Sequence, residues 1–508
     1  MINAKLMLIF ILLVSFSNTW AQKIAEPENL GENINSLCYD YRPKLTADGR
    51  FLYFTRILCP TELQHYEGKL FFSEIDKNGK WSLARPLDFK YNSDEFGPYL
   101  YSVSPDNNQL TITLLNRETS TRILCKIYRT EKGWSEPDTL MLGFEVPELN
   151  STFALSDNGS MLLFSYDDAN NPEFGFGDKD LYVAFLRENN AWSKMQNLGG
   201  IINNTSVDLN PFLASDNKTL YYSSERPDGF GFNDIYMSKR LDNTWKNWSK
   251  PINLGAFIND EHWNDGFFIP ATGNFGYFNS ERSGFGQGDI FKVQLQASLL
   301  PEKVILVKSV VLDQKNAPVG TRVFFEDLES GIRVGSALSH PLTGEFQISL
   351  PFGSKYGIYL DAEGAFSVSS YLDLSKDTSL FVIQDTIRIK NLEIGTTIRL
   401  NNIFFANNST NLLAESFAEL NRLAKLLIEN FSLRIRIEGH TDGLGSDVYN
   451  LELSRKRAES IYLYLISKGV KEAQLEIKAF GESKPIADNN TESGKKRNRR
   501  VEFTVLEK

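Results

Sequence analysis

The clearest chemistry in this 508-residue chain is a carboxylate at a strand end and a guanidinium on the helix that follows. Leu433, Ile435 and Ile437 alternate with Arg434, Arg436 and Glu438, as in a half-buried strand, and the strand closes on Gly439-His440-Thr441-Asp442. A helical segment from about Leu451 to Ser467 is expected next, with Gly469 as its C-terminal cap and Arg457 one turn in. An anion and a cation a few ångströms apart form a receptor for a zwitterion. Asp442 accepts from an ammonium, and the planar Arg457 fork pairs bidentately with a carboxylate. Backbone N–H groups at the helix start near Asn450 would add donors for that carboxylate. A lone Asp–Arg pair of this kind also makes plain structural salt bridges, so the surrounding motifs decide.

Other chemistry is sparse. His65, His262, His340 and His440 are scattered, and none sits at metal-ligand spacing, so no metal and no cofactor is expected. His440 is read as a satisfied structural residue, and Lys495-Lys496-Arg497 as a solvated loop flank. Cys38, Cys59 and Cys125 would meet an oxidising compartment after export. Either a Cys38–Cys59 bridge or buried free thiols fit. Net charge is −10 and the pI about 5.2, which argues against nucleic acid as a partner. From Gly395 onward 18 Lys/Arg stand against 15 Asp/Glu, a balance of +3 that leaves −13 for everything before it. An acidic front is joined to a mildly basic tail.

The elements that must position the pair are alternating helices and strands. Leu412 to Ile428 places Leu412, Phe417, Leu420, Leu423, Ala424, Leu427 and Ile428 on one helical face. Further strands are expected at Leu475–Ala479 and Val501–Val505, giving an α/β sandwich with both helices on one face of a small mixed sheet.

Three separated motifs stand in this frame: Gly439-His440-Thr441-Asp442, then Tyr449-Asn450-x-x-Leu453-Ser454-x-x-Arg457-Ala458, then Asn498-Arg499-Arg500-Val501-Glu502. Together they resemble the peptidoglycan-binding domain shared by the C-terminal part of OmpA, the peptidoglycan-associated lipoprotein and MotB. The resemblance implies Asp442 and Arg457 as the ligand pair for diaminopimelate of the stem peptide, with Thr441, Asn450, Leu453 and Arg500 lining the pocket. One departure stands out. Family members have Phe-Asp in the first strand, whereas Phe405 is followed by Ala406.

The front half repeats. Asn-Leu-Gly-x-x-Ile-Asn occurs at Asn29, Asn197 and Asn253; Trp-Ser at Trp81, Trp134, Trp192 and Trp248; Gly-Phe-Gly-x-x-Asp at Gly175, Gly229 and Gly284. All three markers share a period of some 55 residues. Short strands separated by Asp/Asn/Gly turns fill each period, which points to a β-propeller of five or six blades. The units resemble the Pro-Asp-forty (TolB-like, WD40-related) repeat. Asp180, Asp234 and Asp289 recur at one position, and each is read as capping a turn before a strand. A catalytic set would use different residues converging once. The Gly-x-Ser-x-Gly nucleophile motif is absent.

Between Pro301 and about Leu392 the period vanishes while strand character persists, suggesting a small β-sandwich. Its Ala-Pro-Val, Thr-Gly-Glu-Phe, Leu-Pro-x-Gly and Tyr order is similar to the carboxypeptidase regulatory-like domain, a module without hydrolytic residues.

Residues 1–21 have the layout of a secretory signal peptide: Lys5, the apolar run Leu6–Val14, and Thr19-Trp20-Ala21 as cleavage site. The run is too short to span a bilayer, and no Cys stands just after the cleavage site to carry lipid, the first being Cys38. The expected order is therefore signal peptide (1–21), β-propeller (22–297), β-sandwich (301–392) and OmpA-like domain (393–508). That order resembles envelope proteins of Bacteroidota, among them a lipid-anchored peptidoglycan-binding component of the type IX secretion and gliding machinery. It implies a non-enzymatic periplasmic scaffold, peripheral at the outer membrane, holding peptidoglycan by its tail and protein partners by its propeller. The alternative is a wall-tethered propeller hydrolase, a glycosidase or peptidase, which needs one non-repeated acid/base set at the propeller mouth.

Overall fold

The structure, a computed structural model, describes residues 26–59, 67–144, 151–167, 176, 178–187, 191–271, 273–360, 365–367, 370–375, 382–406 and 409–508. The signal peptide, His65 and the glycines Gly175 and Gly177 of the first Gly-Phe-Gly lie outside these residues. Among the described residues no helix is long and apolar enough to cross a membrane.

Five antiparallel sheets follow one another from Tyr39 to Gln294. Four begin with the strands Tyr39–Leu45, Phe96–Val103, Phe153–Leu155 and Asp208–Leu213. The fifth runs Asn264–Phe268, Phe275–Ser280, Asp289–Gln294, and takes its outer strand, Glu28–Asn29, from the start of the chain. Each sheet is hydrogen-bonded to the next near these first strands. The Leu100 N–H donates to Thr55 Oγ1 at 2.9 Å, Leu155 N–H to Ser102 Oγ at 2.8 Å, and Asn210 N–H to Thr152 Oγ1 at 2.8 Å. Asn210 Nδ2 reaches Asp265 at 3.0 Å, and the Arg42 N–H returns to Asn279 Oδ1 at 3.1 Å. A buried core of Leu52, Phe54, Tyr221, Phe267 and Phe278 spans the first, fourth and fifth sheets.

The repeated motifs do structural work here. Asp180, Asp234 and Asp289 each open a strand and are buried. Each accepts the N–H of the Phe four residues before it (Phe176, Phe230, Phe285; 2.8, 2.6 and 2.5 Å). Each also accepts Nδ2 of the first Asn of an Asn-Leu-Gly motif: Asn197, Asn253 and Asn29, at 2.9, 2.8 and 2.8 Å. The serines of Trp-Ser accept backbone N–H groups of the third strands, Ser82 from Glu74 at 3.1 Å and Ser249 from Lys239 at 2.8 Å. Cys38 and Cys59 form a disulfide closing 21 positions, while Cys125 is a buried free thiol that burial pushes up to about 12.

From Val304 to Asn391 two four-stranded sheets face each other across one core containing Ile305, Phe325, Phe346, Ile348 and Ile358. The strand Val304–Leu312 pairs in parallel with Val382–Asn391, so that sheet is mixed.

The tail carries a sheet ordered Thr397–Leu400, Arg500–Glu507, Arg434–His440, Leu475–Gly481, with the last two parallel and the rest antiparallel. Ile435, Ile437, Val501, Phe503 and Val505 point to one face, where α1 (Phe417–Glu429) and α2 (Asp447–Ser467) bury Leu420, Leu423, Leu427, Ala458, Ile461 and Leu465. Gly439 explains the close seat of α2: a Cβ there would meet the Ser454 carbonyl oxygen at 2.2 Å.

Several expectations need correction. The first helix starts at Phe417 after a 3₁₀ turn at Ala414–Ser416, because Leu412 is held in a bridge to Phe405. Phe405-Ala406 therefore lies in that bridge and its turn, and the sheet's first strand is Thr397–Leu400. Helix α2 starts at Asp447 because Ser446 caps it, accepting the Tyr449 N–H at 3.3 Å; Arg457 thus sits nearly three turns in. Lys495-Lys496-Arg497 is helical, part of α3 (Glu492–Asn498), which Thr491 caps by accepting the Gly494 N–H at 2.9 Å.

Candidate functional site

Asp442 sits just past the strand Arg434–His440, 7% exposed. Its Oδ2 accepts from Arg499 Nη1 at 2.5 Å, and its Oδ1 accepts the Leu444 N–H at 3.1 Å. Asp442 therefore meets a protein cation, and that cation is Arg499, not Arg457. Asn450 Nδ2 ties the Asp442 carbonyl (3.3 Å) to Glu482 (2.5 Å) and fixes this strand end against α2. The Asn450 N–H bonds the Ser446 carbonyl and the Tyr449 N–H the Ser446 hydroxyl, so these two N–H groups at the helix start are already taken. Thr441 is buried with an unpartnered Oγ1, and Leu453 is half-buried on α2.

Arg457 is held by the Ser409 carbonyl at 3.3 Å and lies over the Phe405 ring at 5.0 Å. It lines a cavity of about 540 Å³ with Arg399, Lys496, Arg499 and Arg500, and no carboxylate is among the lining residues described. Burial lowers the Arg457 pKa from its ordinary value, and neighbouring Arg499 adds to this. Burial and Arg500 do the same to Arg399, whose Nε has no partner. Cations held together in low dielectric are stabilised by an incoming anion. Arg500 is the least available of the set. Its Nε donates to Glu502 at 2.7 Å, and it also reaches the Asn498 and Lys484 carbonyls.

The sequence-based reading put Asp442, Arg457, Thr441, Asn450, Leu453 and Arg500 in one pocket, whereas the structure places Asp442, Thr441 and Asn450 at the strand end and Arg457 and Arg500 at the cavity. That reading missed Arg499, which bridges the two groups although it stood in the Asn498–Glu502 motif. It also missed Arg399, Lys496 and Tyr371. Tyr371 comes from the two-sheet unit, packs on Phe404 at 5.2 Å and lines the same cavity. No local pattern marks a residue delivered from another unit.

His440 is not hydrogen-bond satisfied. Both ring nitrogens lack a good partner, Nε2 lies 3.3 Å from Glu502, and the ring stacks on Phe480 at 5.1 Å. With Glu438 and Glu502 it has the composition of a metal site. Each carboxylate already holds a guanidinium, however: Arg436 on Glu438 at 2.8 Å and Arg500 on Glu502 at 2.7 Å. A divalent cation would meet two fixed positive charges, so the cluster suits charge balance better than metal binding.

In the front half one non-repeated set occupies the meeting point of the first strands. Arg42 lies 4.5 Å from the Tyr101 ring, and Lys44 is pushed down to about 7 by burial and then by Arg42, with Asp265 opposing. Burial raises Asp265, against hydrogen bonds from Asn279 and Asn210.

Residues 404–499 match the OmpA family, so the C-terminal domain is of the OmpA type. Over 100 residues the chain is 42% identical to a peptidoglycan-associated lipoprotein of Buchnera aphidicola, covering 20% of this chain and 58% of that protein. Over 103 residues it is 39% identical to the outer-membrane lipoprotein YfiB of Pseudomonas aeruginosa, covering 20% of this chain and 61% of the relative. The chain thus spans less than two thirds of the length of either. A solved peptidoglycan-associated lipoprotein from Burkholderia pseudomallei is 33% identical, with 20% of this chain and 87% of that chain covered, and a TM-score of 0.20.

Proposed function

We propose that the protein is a cell-envelope scaffold that binds peptidoglycan non-covalently through its OmpA-type domain. It resides in the periplasm, associated with the cell wall. The observation that carries the reading is the cation-lined cavity beside Asp442, within a segment similar to proteins named as peptidoglycan-associated. The carboxylate of a diaminopimelate stem peptide meets Arg457 and Arg399. The ammonium of the same zwitterion meets Asp442 through Oδ1, which among the described residues holds only the Leu444 N–H, while Arg499 keeps the carboxylate aimed. Thr441, Asn450, Leu453 and Arg500 shape the walls. The direct test is co-sedimentation of the full chain with purified diaminopimelate-type sacculi. Failure to sediment overturns the reading.

The five sheets we read as blades of a propeller closed by the strand Glu28–Asn29, presenting a surface to envelope proteins, and residues 301–392 as a regulatory-like spacer. A role as an accessory of a type IX secretion or gliding machinery fits this order. The hydrolase alternative has a definite place to stand, since Arg42, Lys44 and Asp265 form a non-repeated set. Hydrolysis of glycosidic or peptide model substrates that Asp265→Asn abolishes would establish it. No such turnover is the outcome expected for a scaffold.

A further inference from the structure

A second cavity, about 640 Å³, opens between the front half and the two-sheet unit. Its walls are fixed by direct bonds across the junction. Asn158 Nδ2 donates to the Val334 carbonyl at 2.6 Å, the Ser336 N–H to the Asn158 carbonyl at 3.1 Å, and Asn108 Nδ2 to the Leu338 carbonyl at 2.9 Å. At Gly335 a Cβ would stand 2.6 Å from Asn158 Cβ, so the two units approach where only glycine fits.

The charge of this cleft runs against its surroundings. Residues before Gly395 carry a net −13, yet Lys126, Arg187, Arg322 and Arg333 line the cavity against Asp138 alone. Asp138 is exposed, and it already accepts the Tyr128 hydroxyl at 3.0 Å. Lys126 has no hydrogen-bond or ion-pair partner among the described residues. Burial, then Arg322, pushes its ammonium down to about 8 against the pull of Asp138. Two like charges facing each other across a junction are a standing cost that an anion between them removes.

The remaining lining narrows the ligand. The half-buried Trp192 lines the cavity, and the Arg333 guanidinium covers the buried Phe324 ring at 4.2 Å. At the rim Met141 is 79% and Ile332 64% exposed, and Thr139 and Ser160 bring hydroxyls. A bare inorganic anion needs neither the volume nor the rings, and a neutral glycan does not need four cations. An acidic sugar uses both, with its C–H faces on aromatic and apolar groups and its carboxylates on guanidinium forks. We propose that this interdomain cleft binds a carboxylate-bearing sugar of one to three rings.

The test is calorimetry on the full chain lacking residues 1–21, with tri-galacturonate as probe. Its neutral methyl ester, inorganic phosphate and tri-glutamate serve as comparators. Saturable 1:1 binding is expected, at least tenfold weaker for the ester. Lys126→Met, Arg322→Gln and Trp192→Ala each weaken it tenfold or more, whereas Arg457→Ala in the tail cavity leaves it unchanged. Thermal melts check folding, and the rim variants Arg187→Gln and Arg333→Gln replace any interior variant that fails to fold. Absence of tri-galacturonate binding overturns the proposal. So does equal binding of the ester, phosphate or tri-glutamate, or loss of binding through Arg457→Ala alone.

Discussion

Asp442 Oδ2 and Arg499 Nη1 stand 2.5 Å apart across 57 positions of sequence, joining the end of a central strand to the turn that leaves α3. The contact makes Asp442 an aligned acceptor and places Arg499 beside Arg457, so in the proposed zwitterion site one guanidinium would serve both halves. Truncating one partner of a buried, hydrogen-bonded charge pair costs about 2–5 kcal/mol of binding, or roughly 30- to several thousand-fold. Asp442→Ala falls in that range for sacculus co-sedimentation. Arg499 is 42% exposed at its side chain, so solvent screening reduces its share, and Arg499→Gln is expected to weaken binding by about tenfold. Wild-type sedimentation by both variants would reduce the contact to a structural salt bridge.

Arg457 supplies the sharper contrast. It has no hydrogen-bonded or ion-paired carboxylate among the described residues, and its charged form is disfavoured by burial and by Arg499. Removing it is therefore expected to cost the fold little while removing the group proposed to meet the ligand carboxylate. Arg457→Ala is expected to lose most sacculus binding with a melting temperature equal to or above that of wild type. Arg457→Lys also binds poorly, because an ammonium keeps the charge without the fork. A large drop in melting temperature for Arg457→Ala would show that the guanidinium holds the domain together.

Much of this was written locally in the sequence. The alternation around Ile435 and Ile437 and the repeated Asp and Asn positions are short-range signals that set strands and turns. What was not legible depended on distant partners. Arg499 and Arg500 are adjacent and chemically identical, yet one faces Asp442 and the other is tied to Glu502. Arg499 closes α3 and Arg500 opens the last strand, so which of the two meets Asp442 follows from where the helix ends and the strand begins. Tyr371 enters the cavity through packing between units, and Arg399 through the pairing of Thr397–Leu400 with Arg500–Glu507, neither of which periodicity encodes. Phe405 was misplaced for the same reason: its bridge to Leu412 is a tertiary choice that shifted both the strand and the helix start.

The Asn29–Asp289 bond gives a prediction for the front half. The carboxylate of Asp289 is buried and accepts from Phe285 N–H and Asn29 Nδ2, and the fifth sheet obtains its outer strand through the Asn29 segment. Asp289→Ala leaves two donors without an acceptor in a dry site, at about 1–3 kcal/mol each. The variant is expected to melt several degrees lower. Limited proteolysis should now cut between residues 26 and 36, before any other site in the front half. An Asp234→Ala control removes the equivalent lock inside the fourth sheet, so it should lower stability without exposing the N-terminal segment. Equal protection of that segment in both variants would refute the closing role assigned to Asn29.

The last prediction concerns acid. Burial alone would raise the Glu502 carboxyl, but contacts from His440 at 3.3 Å and Arg500 at 2.7 Å outweigh it and hold the group at about 2, against an ordinary 4.5. A carboxylate with a depressed folded-state pKa contributes stability that is fully present above its unfolded value and is lost as pH falls through the folded one. The window is therefore from 4.5 down to about 2, and stability of the OmpA-type domain should fall as pH drops across it. The full shift corresponds to about 3 kcal/mol, an upper bound because the Glu502 side chain retains 16% exposure. Glu502→Gln lacks the titration. Its stability at neutral pH should be lower, since Arg500 loses its anion, and its decline between pH 4.5 and 2 should be shallower. Chemical denaturation of both proteins at a series of pH values, followed by circular dichroism of the helical signal, measures the two slopes. Parallel curves through that window would show that the Arg500–Glu502 pair does not couple protonation to the fold.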